Sequence, residues 1–339
     1  MSQLWTDIID PATLTGYARQ SLEEYEAQQG SLREFLPNRT VSDVVVRFNL
    51  GDNGLVEEAS YRAFDAEPEI GRGPGGRRVI VELPAIGRNE PISEYNQLRG
   101  RAASDPAIEG YILNAADRAV RAIADRTVRM RGHVLVHGKA TINQDNFISE
   151  DDFGRDEELT INASTLWSDS ASDPLGDLKL WRDLYTDKNG VEPGAMIMSR
   201  QAMSALTKGE QFQVNLIGGG SRPATEADVL AILAAHGLPP VHIYSRRTHS
   251  GPVIPADRVL MLPAPAAGDN QVSELGNTFW GQTLTAEDPN WAIADEERPG
   301  IVVGAYKNPK PPMISEVISD AISLPVLANA NLSLCAKVL

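Results

Sequence analysis

The stretch from Asp105 to Gly138 constrains this chain more than any other. Ile108, Ile112, Ala115, Ala119, Ile123, Thr127, Met130 and Val134 recur at spacings of three and four, the signature of one buried helical face. Asp105-Pro106 opens the pattern and Gly138 closes it, with Gly132 as an earlier point for a kink or stop. Asp117, Arg121, Asp125 and Arg129 stand four apart with alternating sign, the pattern of a solvated helix face. At 1.5 Å per residue such a helix is about 48 Å long, more than the diameter of a small domain. An element of that length acts as a beam across the molecule, and the rest of the chain must be arranged along it.

What precedes the beam has little core of its own. Asp10-Pro11 predicts a helix start, and Leu14, Tyr17, Ala18, Leu22 and Tyr25 form one apolar stripe before Gly30. A short helix with one such stripe needs a cover, supplied by its own domain or by a neighbouring chain. Residues 41–48 are β-prone, and Gly51-Asp52-Asn53-Gly54 is a turn cluster. Ala59, Tyr61 and Ala63 alternate with polar residues as in a half-exposed strand, and residues 78–83 read as a second strand. Between them, residues 65–76 are rich in charge, Gly and Pro. Loops this long inside compact domains are uncommon, and a hairpin projecting alone is marginal in water, so this one is expected to lean on another chain.

Beyond the beam, residues 150–152 and 156–158 read as an acidic, loop-like stretch. Helices are predicted from Pro174 and from Glu226, with a shorter one ending near Lys208, and strands at 195–198, 240–245, 258–262, 300–304, 323–327 and 332–338. Strands and helices alternate irregularly, which indicates an α+β chain.

Composition narrows the function. The 339 residues carry 31 basic against 46 acidic side chains, a net charge of −15, which argues against a surface built to grip nucleic acid. No run of about 18 apolar residues exists to span a membrane, and the first residues lack the pattern of a secretory signal. The single cysteine, Cys335, cannot close an internal disulfide, as expected of a chain in a reducing cytosol.

Catalytic patterns fail on inspection. His133 and His137 have the spacing of a two-histidine metal site, but Val134 stands where a metalloprotease needs Glu, and no third ligand lies nearby. Gly138-Lys139 has the wrong glycine gap for a phosphate loop, and Ala140 replaces the magnesium hydroxyl. Ser221 lacks the following glycine of a nucleophile elbow. The acidic cluster lacks the ligand spacing of a calcium loop. His236 reads as a helix end, and Cys335 as a buried inert thiol. No catalytic residue, cofactor site or metal site is assigned.

Three stretches carry a family resemblance: Leu135-Val-His-Gly138-Lys139-Ala-Thr-Ile142 followed by residues 147–154; Thr165-Leu-Trp167-Ser168-Asp169 followed by Asp173-Pro174-Leu-Gly-Asp177-Leu178; and Ile254-Pro255-Ala-Asp-Arg258-Val-Leu-Met-Leu262. In this order the chain resembles the lambda-like major capsid protein E family of tailed bacteriophages, with the Hong Kong 97-type shell fold. The resemblance implies an N-arm at 1–38, a peripheral-domain strand at 39–53, an extended loop at 54–93 and a peripheral domain at 94–165 with spine helix 105–138. It further implies an axial domain at 166–324 and a C-terminal return strand of the peripheral domain at 325–339. The implied function is a structural subunit that assembles into pentamers and hexamers, located in the phage head after assembly in the host cytoplasm. Its implied partners are other copies of itself, a scaffolding protein on a separate polypeptide, a portal and a decoration protein, with double-stranded DNA enclosed but not specifically bound. A nanocompartment shell of the same fold and a hydrolase sited in 166–324 are the alternatives. Some relatives lock their shells through a loop lysine, but residues 54–93 hold Arg62, Arg72, Arg77, Arg78 and Arg88 and no lysine, so a non-covalent shell is expected. The inter-subunit contact residues expected are Leu14, Tyr17, Leu22 and Tyr25 on the arm and Glu67, Glu69, Arg72, Arg77 and Arg78 on the hairpin.

Overall fold

The computed structural model describes residues 3–28, 30–49, 78–101, 105–144, 147–215, 221–266 and 273–339. The spine helix runs Asp105–His137, as its periodicity requires, and Gly138 ends it in the left-handed conformation at φ 67°. The N-terminal helix spans Pro11–Glu26. The Asp10 carboxylate accepts the Thr13 backbone N–H at 3.2 Å, and proline occupies the first turn, where its missing N–H costs nothing.

Two sheets flank the spine. The six-stranded sheet has the path Gln3–Leu4, Val302–Lys307, Ser315–Leu327, Gly276–Gly281, Asn38–Thr40, with Ala85–Ile92 also paired to Ser315–Leu327. Its pairs are antiparallel except Asn38–Thr40 against Gly276–Gly281. The spine lies across this sheet: Ile112, Ala116 and Ile123 share one core cluster with Ile92, Val317 and Ala321. The five-stranded sheet has the order Val241–Ile243, Ala195–Met198, Arg258–Leu262, Leu334–Lys337, Thr160–Asn162. Helices Pro174–Asn189, Arg200–Lys208 and Glu226–Ala235 complete that half. Their starts follow the capping residues: Asp173 accepts from Gly176, Ser199 from Ala202, and Thr225 and Asp228 form a reciprocal capping box.

Several expectations change. Gly276–Gly281, Val302–Lys307 and Ser315–Leu327, which except for residues 325–327 fall in the range 166–324 expected for the axial domain, are strands of the sheet under the spine, while the last strand, Leu334–Lys337, lies in the other sheet. A turn at Ala330–Leu332 redirects the chain between them, so the C-terminal run leaves the six-stranded sheet and joins the five-stranded one between Arg258–Leu262 and Thr160–Asn162. Local pattern marks a strand but not the sheet that receives it. Ala85–Ile92 likewise belongs to the sheet rather than to an extended loop. Residues 150–152 are not a loop: Phe147–Asp152 pairs antiparallel with Lys139–Gln144, and Lys139 Nζ lies 2.8 Å from Asp152 and 3.6 Å from Glu150. The cross-strand cation offsets the acidic repulsion that made the segment read as coil. The alternating strand at 58–64 lies outside the described residues.

Candidate assembly surfaces

The N-terminal helix finds its cover within its own chain. Leu14 (1% exposed), Ala18 and Leu22 (8% exposed) are buried in the cluster that holds the spine residues Ile112, Ala115 and Val120. Leu14 and Leu22 are therefore not free to contact a neighbour in this conformation, which corrects the expectation for both. The reason lies on the spine. On its Asp117–Arg129 face Arg121 is exposed, as a solvated face requires, and Arg129 donates to Thr248, but Asp117 and Asp125 turn toward the arm. Tyr17 and Ser21 both donate to the Asp117 carboxylate at 3.0 Å, and Tyr25 donates to Asp125 at 2.8 Å. Burial first, and then these bonds to carboxylates, raise both tyrosine pKa values. Tyr17 and Tyr25 keep part of their rings at the surface. Glu67, Glu69, Arg72 and Arg77 lie outside the described residues; Arg78 begins the strand Arg78–Glu82, and its side chain is outside them too.

Beneath the arm sits a polar pin that the sequence pattern did not single out. Arg131 interrupts the apolar spine between Val128 and Val134, and its side chain and that of Glu26 are fully buried, 2.8 Å apart. The remaining groups are answered in turn. Arg131 Nε donates to Thr278 at 2.9 Å, Nη1 to the Ser31 carbonyl at 3.0 Å and Nη2 to Asn38 at 2.5 Å. Asn38 Nδ2 in turn donates to Glu26, and Trp280 Nε1 donates to Asn38 at 3.0 Å. Burial pushes the guanidinium pKa down and the Glu26 carboxylate opposes it. The residue remains a cation because an arginine starts so high. One network thus ties the arm, the spine and the parallel strand pair together.

At its C-terminal end the spine is capped by Arg155, which donates to the carbonyls of Leu135 at 2.9 Å and Val136 at 2.5 Å and to Ser333 Oγ at 3.3 Å. A cation there answers both the unpaired carbonyls and the negative end of the helix dipole. His133 and His137 meet one turn apart, ring centroids 4.5 Å. Burial, then the His137 and Arg129 charges, hold the His133 pKa down to about 4; His137 is lowered by burial and by Arg258 and Arg155. Cations crowd this pair, and among the described residues no group of three or more His, Cys, Asp or Glu is placed to hold a metal. Cys335 is buried, and burial raises its thiol pKa against the pull of Arg155 and Arg258, the opposite of an activated nucleophile. Among the described residues no helix is long and apolar enough to cross a membrane.

The surface carries uncovered apolar groups. The ribbon of Val45–Asn49 and Arg78–Glu82 buries Val46 and Val81 but leaves Ile80 60% exposed. The ribbon after the spine leaves Ile148 80% exposed beside Phe147, and Leu284 is 85% exposed elsewhere. Ile80 and Ile148 thus lie exposed on two-stranded ribbons outside the two main sheets, and Leu284 on a short helix.

The family model of phage major capsid protein E matches residues 14–273. The chain belongs to the phage major capsid protein E family. A prophage protein of E. coli CFT073 assigned as a capsid protein superposes with a TM-score of 0.62 at 15% identity, each chain covered over its full length. A phage-related protein of Bordetella bronchiseptica RB50 gives a TM-score of 0.57 at 14% identity, covering 98% of this chain and 97% of that one. No curated protein matches. At such identities the likeness is one of fold, and that fold is the Hong Kong 97-type capsid fold. The spine, the arm packed on it and the two sheets are thus the frame of a capsid subunit, and the role of the chain is structural.

Proposed function

We propose that the chain assembles through pentamers and hexamers into the closed icosahedral head of a tailed phage, around packaged double-stranded DNA that it does not bind specifically. The observation that carries this is the pair of two-stranded ribbons whose apolar outer side chains, Ile80 and Ile148, have no cover in a single copy. A two-stranded ribbon is marginal in water, and neighbours that repeat around a closed ring cover every ribbon at once. The net charge of −15 fits a wall that releases DNA, since phosphate affinity needs lysine and arginine. Arm residues Tyr17 and Tyr25 reach a neighbour by their exposed ring edges, and the hairpin residues Glu67, Glu69, Arg72, Arg77 and Arg78 do so through charge pairs. Scaffolding, portal and decoration proteins are separate chains, and the protein catalyses no reaction.

Electron microscopy of the purified protein, alone and with its scaffold, tests the reading. Closed shells that fill with DNA in infected cells support it; small compartments holding a cargo enzyme, or a concentration-independent monomer, refute it. Because residues 54–93 contain no lysine, denaturing electrophoresis of mature particles yields monomer, and a covalent ladder would overturn the non-covalent shell.

A further inference from the structure

The last turns of the spine carry Arg129, His133 and His137 at intervals of four residues on one face, a row about 12 Å long at 1.5 Å per residue. Further cations reach this row from other elements. Arg155 lies over the end of the helix, where a Cβ on Gly138 would stand 2.9 Å from its Nε, so the glycine is what admits the guanidinium. Arg258 opens the strand Arg258–Leu262 and stands directly opposite Lys337, so the two side chains leave the same face of the sheet. Burial, then the charges of Arg258 and Arg155, lower the His137 pKa, which places both guanidinium groups near that ring. Like charges directly opposite on a sheet are unfavourable, and a local conflict of this kind is what function explains.

The carboxylates around the row are already engaged. Asp125, one turn before Arg129, accepts from Tyr25 and holds Arg246 at 3.5 Å. Asp152 is held by Lys139 at 2.8 Å, and Asp257 answers only Arg258, at 3.8 Å. His137 and Lys337 have no carboxylate at ion-pair distance among the described residues, and His133 Nε2 and Arg155 Nε are buried without an acceptor. His137 is exposed, and Arg129, Arg155, Arg258 and Lys337 are partly exposed, so an anion from outside has access. In a chain of net charge −15 this is a local reversal of sign. One carboxylate is planar and is satisfied by one guanidinium fork, whereas these donors come from a helix, two strands and a loop and extend along a line. Over about 12 Å a DNA duplex presents about seven backbone charges.

We propose that this cluster at the C-terminal end of the spine is a phosphate-backbone site, where duplex DNA rests on the subunit through its phosphates without base readout. That the duplex is the packaged one rests on the shell reading above. The contact is weak. Arg155 commits its terminal nitrogens to the Leu135 and Val136 carbonyls, and both imidazoles are neutral near pH 7, so Arg129, Arg258 and Lys337 carry the charge. Three phosphate contacts give a slope of log affinity against log salt of about −2.7, roughly a 40-fold loss between 50 and 200 mM. Such a site positions DNA and releases it, in keeping with the acidity of the rest of the chain.

Fluorescence anisotropy of a labelled duplex of about 20 base pairs with the unassembled full chain at pH 7 measures this slope between 50 and 200 mM salt. Duplexes of unrelated sequence give the same value. Arg129→Gln with Lys337→Gln lowers the slope by about 2, whereas Arg200→Gln with Lys310→Gln, which removes two exposed cations elsewhere, leaves it unchanged. Equal losses in the two pairs, or no binding by the unaltered chain at 50 mM salt, overturn the proposal. His137→Glu, at an exposed position, guards against a double variant that does not fold; it lowers the slope by about 1, and no change there overturns the proposal. Histidine NMR distinguishes the source of the phosphate. The duplex moves the His137 signal, and a signal moved by inorganic phosphate but not by the duplex overturns the backbone assignment. Polyglutamate that binds as tightly as the duplex, with the same loss in the variants, overturns it in favour of an acidic polypeptide. Duplex binding by a chain that forms no shells refutes the shell reading and leaves the site standing, while shells built from subunits that fail these tests refute the site alone.

Discussion

Replacing Glu26 by glutamine keeps the shape of the polar pin and removes one charge. Arg131, fully buried, then faces Ser31, Asn38 and Thr278 with no anion. Breaking a buried pair from one side costs about 3–5 kcal/mol, because the surviving charge remains desolvated. Over 339 residues the unfolding entropy is roughly 0.7 kcal/mol per degree, so about 4 kcal/mol lowers Tm by ~6 °C. The measurement uses unassembled protein in urea and by calorimetry, since shell formation stabilises the fold by mass action and would mask the loss. A second variant, Glu26→Gln with Arg131→Met, removes both charges and recovers at least half of the loss, which isolates the charge from the packing. A loss below about 1 kcal/mol for Glu26→Gln, or no recovery in the double variant, refutes the claim that the pin holds the arm to the spine.

Three further outcomes follow from the end of the spine. His133 titrates near 4 in the fold and near 6.5 when unfolded, so the unfolded state binds more protons between those values. Its contribution is complete above about pH 6.5 and is lost as pH falls toward 4. For a half-buried ring this amounts to roughly 1–2 kcal/mol after solvent screening. His133→Gln flattens urea midpoints across that window, and an unchanged slope counts against the assignment. Arg155→Ala leaves the Leu135 and Val136 carbonyls uncapped and costs about 1.5–3 kcal/mol, with faster amide exchange at the start of Lys139–Gln144. Gly132→Ala would put a methyl 2.5 Å from Val253 Cγ1 and 2.7 Å from its carbonyl oxygen, so it destabilises by about 1–3 kcal/mol despite alanine's better helix propensity; a gain in Tm would show that the spine yields there.

Periodicity and capping chemistry are local, and what they govern was legible in the residues alone. Asp10-Pro11, Asp173-Pro174 and Thr225 start helices where their side chains can reach the first free N–H groups, and the apolar spacing from Ile108 to Val134 specifies one long helix ended by Gly138. The same residues left open which surface covers each stripe. Leu14 and Leu22 are buried on the chain's own spine, because Asp117 and Asp125, a solvated ladder by pattern, accept the hydroxyls of the arm. Glu26 and Arg131 are 105 positions apart, a separation at which no spacing rule acts, and their pairing exists only once the fold has removed both from water. Strand Leu334–Lys337 is apolar enough to join either sheet, and the turn at Ala330–Leu332 carries it to the one beside Arg258–Leu262. The sequence by itself determined the capped helices, the long spine and the acidic charge of the chain. Only the tertiary structure decided which faces meet, because burial and long-range pairing depend on neighbours in space that adjacency along the chain does not encode.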